Sequence, residues 1–214
     1  MRSRWILLLM ALIFLSHAAP ASSAAVALIT NVSGPATASL AAMTEVTPNT
    51  VISIGPGSEL TLLHYSTCRL VTVSGGTVTL TESAYTSTGV IRIDKPGPCP
   101  EIQTLPLGSS DGRSMTRGLQ VTSIPVDSEI ILVGRHANRV TSAAIYADNQ
   151  PDQPMLRLGI ADRRANLLSA PTPLVPSARY FLRVNFSDQT RSSDLPFVAR
   201  SAGYGKSLLI LRVE

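Results

Sequence analysis

The stretch SAGYGKSLLILRV, residues 201–213, contains Gly-Lys-Ser, the residues that close a phosphate-binding loop. Such a loop also needs a glycine five positions before Gly205, and Arg200 stands there. The loop must open a helix whose N-terminus holds the phosphate, whereas an apolar, strand-like run follows here. We therefore expect a glycine turn between two strands and no bound nucleotide.

A second candidate for chemistry is HYSTC, in which His64 stands four residues before Cys68. Nucleophilic catalysis needs a base within hydrogen-bond reach of the nucleophile. Residues four apart on a strand share a face but lie about 13 Å apart, so this pair could meet only across a bend. His136, between Arg135 and Arg139, is typical of a solvated turn. We expect no catalytic residue, no enzyme activity and no cofactor.

Two charged clusters stand in predicted loops. YADNQPDQP carries Asp148 and Asp152, carboxylates that could serve glycoside hydrolysis or hold Ca²⁺. Their spacing is not the Asp-x-Asp-x-Asp-Gly of a calcium loop, and the surrounding Pro and Asn predict a polar turn without ligand. RLGIADRR brings together Arg157, Arg163 and Arg164, which could contact anionic lipid headgroups or glycan, with a solvated charged loop as the alternative.

The first 24 residues have the layout of a secretory signal peptide. Arg2 and Arg4 precede an apolar run over residues 5–15, and small residues follow, with cleavage expected after Ala21 or Ala24. A membrane anchor is the alternative, but the run is half of the roughly 20 residues that a spanning helix needs. Nearly all basic residues are Arg, which favours a bacterial source, and the signal then predicts a protein that is periplasmic or secreted.

Cys68 and Cys99 are the two cysteines of the sequence. An even number of cysteines in an exported chain predicts a disulfide. Two free thiols or a metal pair are the alternatives. A metal pair needs further ligands, and His64 is the one such residue close by in sequence. We therefore expect a disulfide and no metal.

Removal of the signal would leave 16 basic and 14 acidic residues, a net charge of +2. Nucleic-acid binding needs a basic stripe with aromatic platforms, and the sequence has neither. The two halves differ in sign: residues 25–113 have four basic and six acidic groups, and residues 114–214 have twelve and eight. Opposite signs could help the halves dock, although salt weakens this attraction.

Short β-branched or alternating runs fill the chain after the signal, which predicts an all-β fold. We expect two small β-domains, residues 25–112 and 113–214, after a signal helix over residues 1–24. The boundary is expected near residues 108–116, which are rich in Gly and Ser. RLVTVSGGTVTLTE predicts a hairpin at Gly75-Gly76. DRRANLLS predicts either a short helix or a turn into an edge strand.

The stretches VALITNVSGPAT and NTVISIGPGSELTLLHYSTCRLVTVSGGTVTLT resemble the FecR-type domain of bacterial envelope proteins, over residues 25–93. That family has a strand, a Gly-containing turn, a Gly-Ser pair and an alternating strand. Gly55, Gly57, Ser58 and Gly75 occupy matching places. The resemblance implies an extracytoplasmic adaptor domain without catalytic residues. The anti-sigma region that precedes this domain in the sensors is not found, so we expect no control of a sigma factor.

TPLVPSARYFLRVNF resembles part of an immunoglobulin or fibronectin type III sandwich. Those families show an apolar residue, a proline-bearing corner and then a Tyr within an alternating strand. Tyr180 would be this corner tyrosine and would hydrogen-bond back to the chain. The second half has neither the core Trp nor the internal disulfide of immunoglobulin domains, so the resemblance implies the sandwich architecture more than the family.

These features predict a non-catalytic module for interaction or scaffolding in the cell envelope. Its partner would be an envelope protein, bound at exposed strand edges or loops. A carbohydrate- or cell-wall-binding module is the first alternative and would need exposed aromatic platforms. A hydrolase with an unrecognised site is the second. Contact with a membrane surface would be peripheral at most.

Overall fold

The computed structural model describes residues 23–34, 40–105, 121–167, 173–188, 192–203 and 207–214. Within these ranges the regular structure is almost entirely strand, with one complete 3-10 turn at Ala137–Arg139, which confirms the all-β fold. No helix in these ranges is long and apolar enough to cross a bilayer. Most of the expected signal (residues 1–22) and the expected boundary near residues 108–116 lie outside the described residues.

The first half forms one six-stranded antiparallel sheet in the order β2-β1-β3-β4-β5, with β6 also paired to β4. Its strands are β1 (Ala27–Ser33), β2 (Thr44–Val46), β3 (Val51–His64), β4 (Arg69–Leu80), β5 (Tyr85–Ser87) and β6 (Val90–Pro96). The sheet is built around the long hairpin of β3 and β4, because β1 pairs with β3, and both β5 and β6 pair with β4.

The β3–β4 hairpin is bent in its middle. Four residues of β3, 55–58, stand opposite Gly75 alone at a shift in register. Gly75 and Gly76 have φ values of 63° and 73°, a region that glycine enters without steric cost. Buried side chains from both sides of this bend meet in one core, which includes Ile52, Ile54, Leu60, Leu62, Val71, Val73, Val78 and Leu80.

The expectation of a hairpin turn at Gly75-Gly76 is wrong. β4 continues through both glycines because β3 pairs with it on either side of the bend. The turn that joins the two strands spans residues 65–68, where Cys68 has φ 51° and its N–H donates to the carbonyl of Tyr65. Gly76 instead permits close packing, since a Cβ there would lie 2.6 Å from the backbone nitrogen of Gly89.

The second half forms two packed sheets. The five-stranded sheet has the order β11-β10-β13-β14-β8, with strands β8 (Thr122–Pro125), β10 (Val140–Ala147), β11 (Pro154–Leu158), β13 (Arg179–Phe186) and β14 (Ser192–Arg200). The four-stranded sheet has the order β12-β9-β15-β7, with strands β7 (Pro100–Leu105), β9 (Glu129–Val133), β12 (Arg164–Asn166) and β15 (Leu208–Val213). Side chains of both sheets form one buried core, so the two layers make the predicted sandwich.

Three strands of the sandwich were not predicted, or were predicted only as one of two readings. β7 precedes the expected boundary near residues 108–116 and is already paired with β15. β14 contains Pro196, a residue that argues against a strand interior. Pro196 is tolerated because β8 pairs with β14 only from Phe197 onward, so among the described strands β13 is the one neighbour of Pro196. Within DRRANLLS, Arg164–Asn166 form the edge strand β12, and the last two residues of the segment lie outside the described residues.

Tyr180 makes the backward contact expected of a corner tyrosine. The backbone N–H of Val175 donates to its hydroxyl oxygen at 3.0 Å, so the main chain is the donor. The Tyr180 ring is buried beside Phe197, with ring centroids 5.6 Å apart. This contact ties the segment before β13 to the sandwich core.

The four-stranded sheet is buried on both faces. Along β15, Leu209, Leu211 and Val213 point into the sandwich core. The alternate residues Leu208 and Ile210 point towards the first half. They form a junction core, which consists of Leu28, Met43, Leu63, Ile131, Val133, Leu208 and Ile210. The sheet is therefore the middle layer of the molecule and joins its two halves.

A polar cluster lies beside the junction core. Arg212 of β15 donates two hydrogen bonds, of 2.7 and 2.8 Å, to the carboxylate of Glu45 in β2. The Tyr65 hydroxyl donates to the same carboxylate at 2.8 Å. Burial, together with the Glu45 charge, raises the pKa of Tyr65 far above its ordinary value. The ion pair between Glu45 and Arg212 joins an acidic residue of the first half to a basic residue of the second. The opposite net charges of the two halves favour such a contact.

Cys68 and Cys99 form the expected disulfide, with Cα atoms 4.8 Å apart. The bond fastens the β3–β4 turn to the segment between β6 and β7, where the chain leaves the first sheet. Gly97 adds a backbone hydrogen bond of 2.7 Å to the carbonyl of Cys68. The exit point of the chain is therefore held covalently.

Replacing both Cys68 and Cys99 with Ser should lower the free energy of unfolding by about 3–4 kcal/mol, because the unfolded chain loses a closed loop. The loop spans 31 residues. Urea denaturation measures the effect, and the original protein in reducing agent is the matched control. A loss of under about 1 kcal/mol, or a reduced original protein that keeps its full stability, would contradict the prediction.

Replacing Tyr65 with Phe should flatten the loss of stability at alkaline pH. The unfolded chain releases the Tyr65 proton near its ordinary pKa of 10.0, whereas the folded chain keeps it. The contribution of Tyr65 to the free energy of unfolding is therefore fully present below that pH. Above that pH it falls by up to about 1.4 kcal/mol per pH unit. Urea denaturation from about pH 8 to pH 11 should show the two proteins converging. Parallel curves would rule this out.

Candidate functional site

A cleft of about 1080 Å³ opens where the two halves meet, and we call it the junction cleft. Its walls include Thr30, Ala42 and Met43 from the first half and Arg157, Arg163 and Arg164 from the second. The second wall joins the edge strands of two different sheets, β11 and β12. The structure therefore brings to one cleft the three arginines that the sequence singles out.

The cleft wall contains a strained two-residue turn. Ala161 and Arg164 exchange backbone hydrogen bonds of 3.0 and 2.8 Å around Asp162 and Arg163. Asp162 and Arg163 have φ values of 49° and 61°. Tight hairpin turns of this kind need positive φ at both central positions and usually place Gly at the second. A bulky residue there costs about 1 kcal/mol or more, so other contacts must hold Arg163 in place.

Arg163 is held by the first half of the chain. Its guanidinium donates to the carbonyl oxygens of Ala42 and Met43, the latter at 3.2 Å. Burial lowers the pKa of Arg163. The carbonyl oxygens accept hydrogen bonds from the guanidinium but carry no negative charge. The positive charge of Arg163 is therefore not neutralised in the cleft wall. Arg163 thus fastens the strained turn across the boundary between the halves.

The other two arginines differ in their partners. Arg164 pairs with Glu129 of β9 at 3.1 Å. Arg157 is exposed on β11, opposite Ala144 of β10. In the part of the chain that the structure describes, the side chain of Arg157 has neither a hydrogen bond nor an ion pair. Arg157 is therefore the arginine of the cleft whose donors are available to another molecule.

Strand β6 is a second exposed feature, at the edge of the first sheet. All seven of its residues are exposed, including Val90 at 56%, Ile91 at 45% and Ile93 at 41%. Within the described ranges it pairs as a strand with β4 alone, so its other edge is open. Arg92 is an extra residue between Ile91 and Ile93 and bulges the strand. β6 thus presents unpaired backbone beside apolar side chains.

The charges on β6 are mostly basic and unpaired. Asp94 is engaged by Arg69 of β4, with an N–O distance of 2.7 Å, and this hydrogen bond lowers the pKa of Asp94. Arg92 and Lys95 have no ion pair with any residue that the structure describes. The open edge therefore carries two available positive charges.

His64, one of the two histidines that the structure describes, is occupied by local hydrogen bonds. His64 is fully buried, and its two ring nitrogens lie 3.0 Å from the hydroxyl of Thr67 and from the carbonyl of Thr81. Its neighbour Cys68 is bonded to Cys99. Neither the junction cleft nor the smaller cleft at Asp148 and Tyr180 is lined by a histidine. His64 serves to join a turn to the first sheet.

The Asp148–Asp152 segment is a polar turn between β10 and β11, as its Pro and Asn content predicts. The N–H of Gln150 donates to the carbonyl of Ala147 and closes this turn. Across the described ranges, no three His, Cys, Asp or Glu side chains come together in a group that could hold a metal ion.

The Gly-Lys-Ser motif leads into a strand. Gly205 and Lys206 lie outside the described residues, while the carbonyl of Ser207 accepts a hydrogen bond of 2.9 Å from Glu129. β15 begins immediately afterwards, at Leu208. The helix that a phosphate-binding loop requires is replaced by the central strand of a sheet.

Comparison with known proteins finds no matching family model, no matching curated protein and no matching solved structure. The resemblances to FecR-type and immunoglobulin-like domains therefore stay predictions.

Sequence reasoning identified GVIRI as a strand but missed the exposure of β6 on both faces. The signal was present in the next residues, DKPGPCPE, since Pro and Lys mark edge strands. The contact of Arg163 with the first half left no signal in the sequence, because its acceptors are backbone carbonyls some 120 residues away.

Replacing Arg163 with Ala should lower the free energy of unfolding by about 1–3 kcal/mol, because hydrogen bonds from a charged donor are lost while the strained backbone remains. Arg163→Gly loses the same bonds but relieves the strain, so it should be more stable than the Ala variant by about 1 kcal/mol. Urea denaturation of both variants measures the two effects. Wild-type stability for Arg163→Ala would contradict the bridging role.

Proposed function

We propose that this protein is a non-catalytic envelope module that binds a partner protein by adding an extended segment of that partner to β6. The open, fully exposed β6 edge carries the proposal. In this mode of recognition, backbone hydrogen bonds along the new strand supply affinity, and alternate side chains supply specificity. The exposed Val90, Ile91 and Ile93 would pack against apolar side chains of the incoming strand.

The charges on β6 define the chemistry of the partner segment. Arg92 and Lys95 remain available, whereas Asp94 is occupied by Arg69. An apolar segment that carries acidic residues at spacings matching Arg92 and Lys95 would therefore be preferred. A basic segment would meet like charge and be rejected, which gives the edge selectivity.

The periplasm of a bacterium is the proposed location. The disulfide supports an oxidising compartment, because such bonds persist there and are rare in the cytosol. The signal-like N-terminus supports export. The resemblance of residues 25–93 to FecR-type domains supports an adaptor role in the envelope.

The glycan-binding alternative has less support, because it requires flat aromatic faces that are open to solvent. In the described residues, Tyr146 is only 9% exposed and is stacked on Phe181, with ring centroids 5.0 Å apart. The guanidinium of Arg183 covers both rings at 4.8 and 5.1 Å. These rings are already engaged within the protein.

A photo-crosslinking residue placed at Ile93 in the full chain, in living cells of its source, tests the proposal. We expect one envelope protein to be captured through a segment of about five to ten residues. A peptide of that segment should then protect the β6 amides from hydrogen exchange. Ile93→Lys should weaken peptide binding about tenfold, because the lost apolar contact contributes more than an exposed lysine can gain from the acidic residues of the segment.

Val175 provides the matched control, since it is equally apolar, is 62% exposed and lies in the second half. Crosslinks from Val175, and the variant Val175→Lys, should leave this partner interaction unchanged. The proposal fails if the peptide protects amides elsewhere and not in β6. It also fails if Ile93→Lys and Val175→Lys bind the peptide equally.

A further inference from the structure

The junction cleft is separate from β6 and has the size and position of many small-molecule sites. Its volume of about 1080 Å³ stands at the upper end of ordinary ligand pockets. Like many such pockets, it lies where two structural units meet. One wall comes from β1 and the segment before β2, and the other from β11 and β12. Its existence therefore depends on the docking of the halves.

The charges of the cleft favour an anion. Glu129 is neutralised by Arg164. Arg163 is bonded to carbonyl oxygens, so its positive charge remains uncompensated. Arg157 is without a partner in the described part of the chain, and Asp162 is the one acidic group left on the walls. Two available positive charges thus face a single negative charge.

The cleft is also preorganised. Asp162 and Arg163 hold positive φ values, and such conformations in residues other than Gly persist only where surrounding contacts fix them. The fixing contacts are the bonds from Arg163 to Ala42 and Met43, which join the two walls. The entropy cost of ordering this wall is therefore met when the protein folds and not when a ligand binds.

We propose that the junction cleft binds a small molecule carrying a carboxylate or phosphate group, with the guanidinium of Arg157 as its main contact. The planar guanidinium can donate two parallel hydrogen bonds to either group. Small or apolar residues, including Ala42, Met43, Ala161 and Ala165, line the space beside the charges. The rest of the ligand is accordingly uncharged.

Titration of the full, disulfide-bonded chain with inorganic phosphate and, separately, with citrate tests the site. Nuclear magnetic resonance at constant ionic strength should show saturable shifts of the Arg157 side-chain N–H and of amides in residues 157–166. Arg157→Gln should weaken binding about tenfold or more, through loss of one charge-assisted contact. Asp162→Asn should tighten it, because a repelling charge is removed.

Arg179→Gln is the matched control, because Arg179 is an exposed arginine outside this cleft and should leave binding unchanged. Saturation by phosphate alone would indicate a phosphate ester, and saturation by citrate alone a carboxylate. The proposal is overturned if chloride gives the same shifts, if neither anion saturates, or if Arg157→Gln binds like the original protein. Ile93→Lys should retain anion binding, which separates this site from β6.

Discussion

Burial of the four-stranded sheet on both faces is the constraint on which the rest of the structure depends. β9 and β15 alternate side chains between the sandwich core and the junction core. Separating the halves would expose the junction core, and each large aliphatic side chain in it contributes roughly 1.5–3 kcal/mol. The Glu45–Arg212 pair then fixes orientation, because its two hydrogen bonds need one geometry. The halves behave as one three-layered body, and the junction cleft is a consequence.

Most of the fold follows from local patterns, but the middle layer does not. The alternation in ARYFLRVNF predicts a strand with one buried face, and β13 is such a strand. EIILV and LLILRV lack alternation, which is typical of strands buried on both faces. That pattern predicts a second covering layer without saying which segment provides it. The partner of β15 on its far side is β7, which is separated from it by more than 100 residues and begins at a proline.

The candidate sites show the same division between local and distant information. Clustering of Arg157, Arg163 and Arg164 is visible in eight consecutive residues. Their different roles depend on carbonyls of the first half and on Glu129, which only the folded chain brings near. Likewise, GGTVT predicts a turn from its glycines, yet β3 pairs on both sides and converts the turn into a bend. The spacing of residues in the sequence shows where charged side chains cluster. The tertiary contacts determine which of these side chains are paired and which remain available.

The exposure of β6 raises the question of why the chain does not pair with copies of itself. Open apolar edges promote aggregation unless charge, proline or a bulge disrupts them. β6 has all three: Arg92 forms the bulge, Lys95 adds charge, and Pro96 ends the strand. Two identical β6 strands would also bring their unpaired positive charges together. The positive charges that discourage self-pairing are the ones that an acidic partner segment would neutralise, so this part of the protection and the selectivity have the same physical origin.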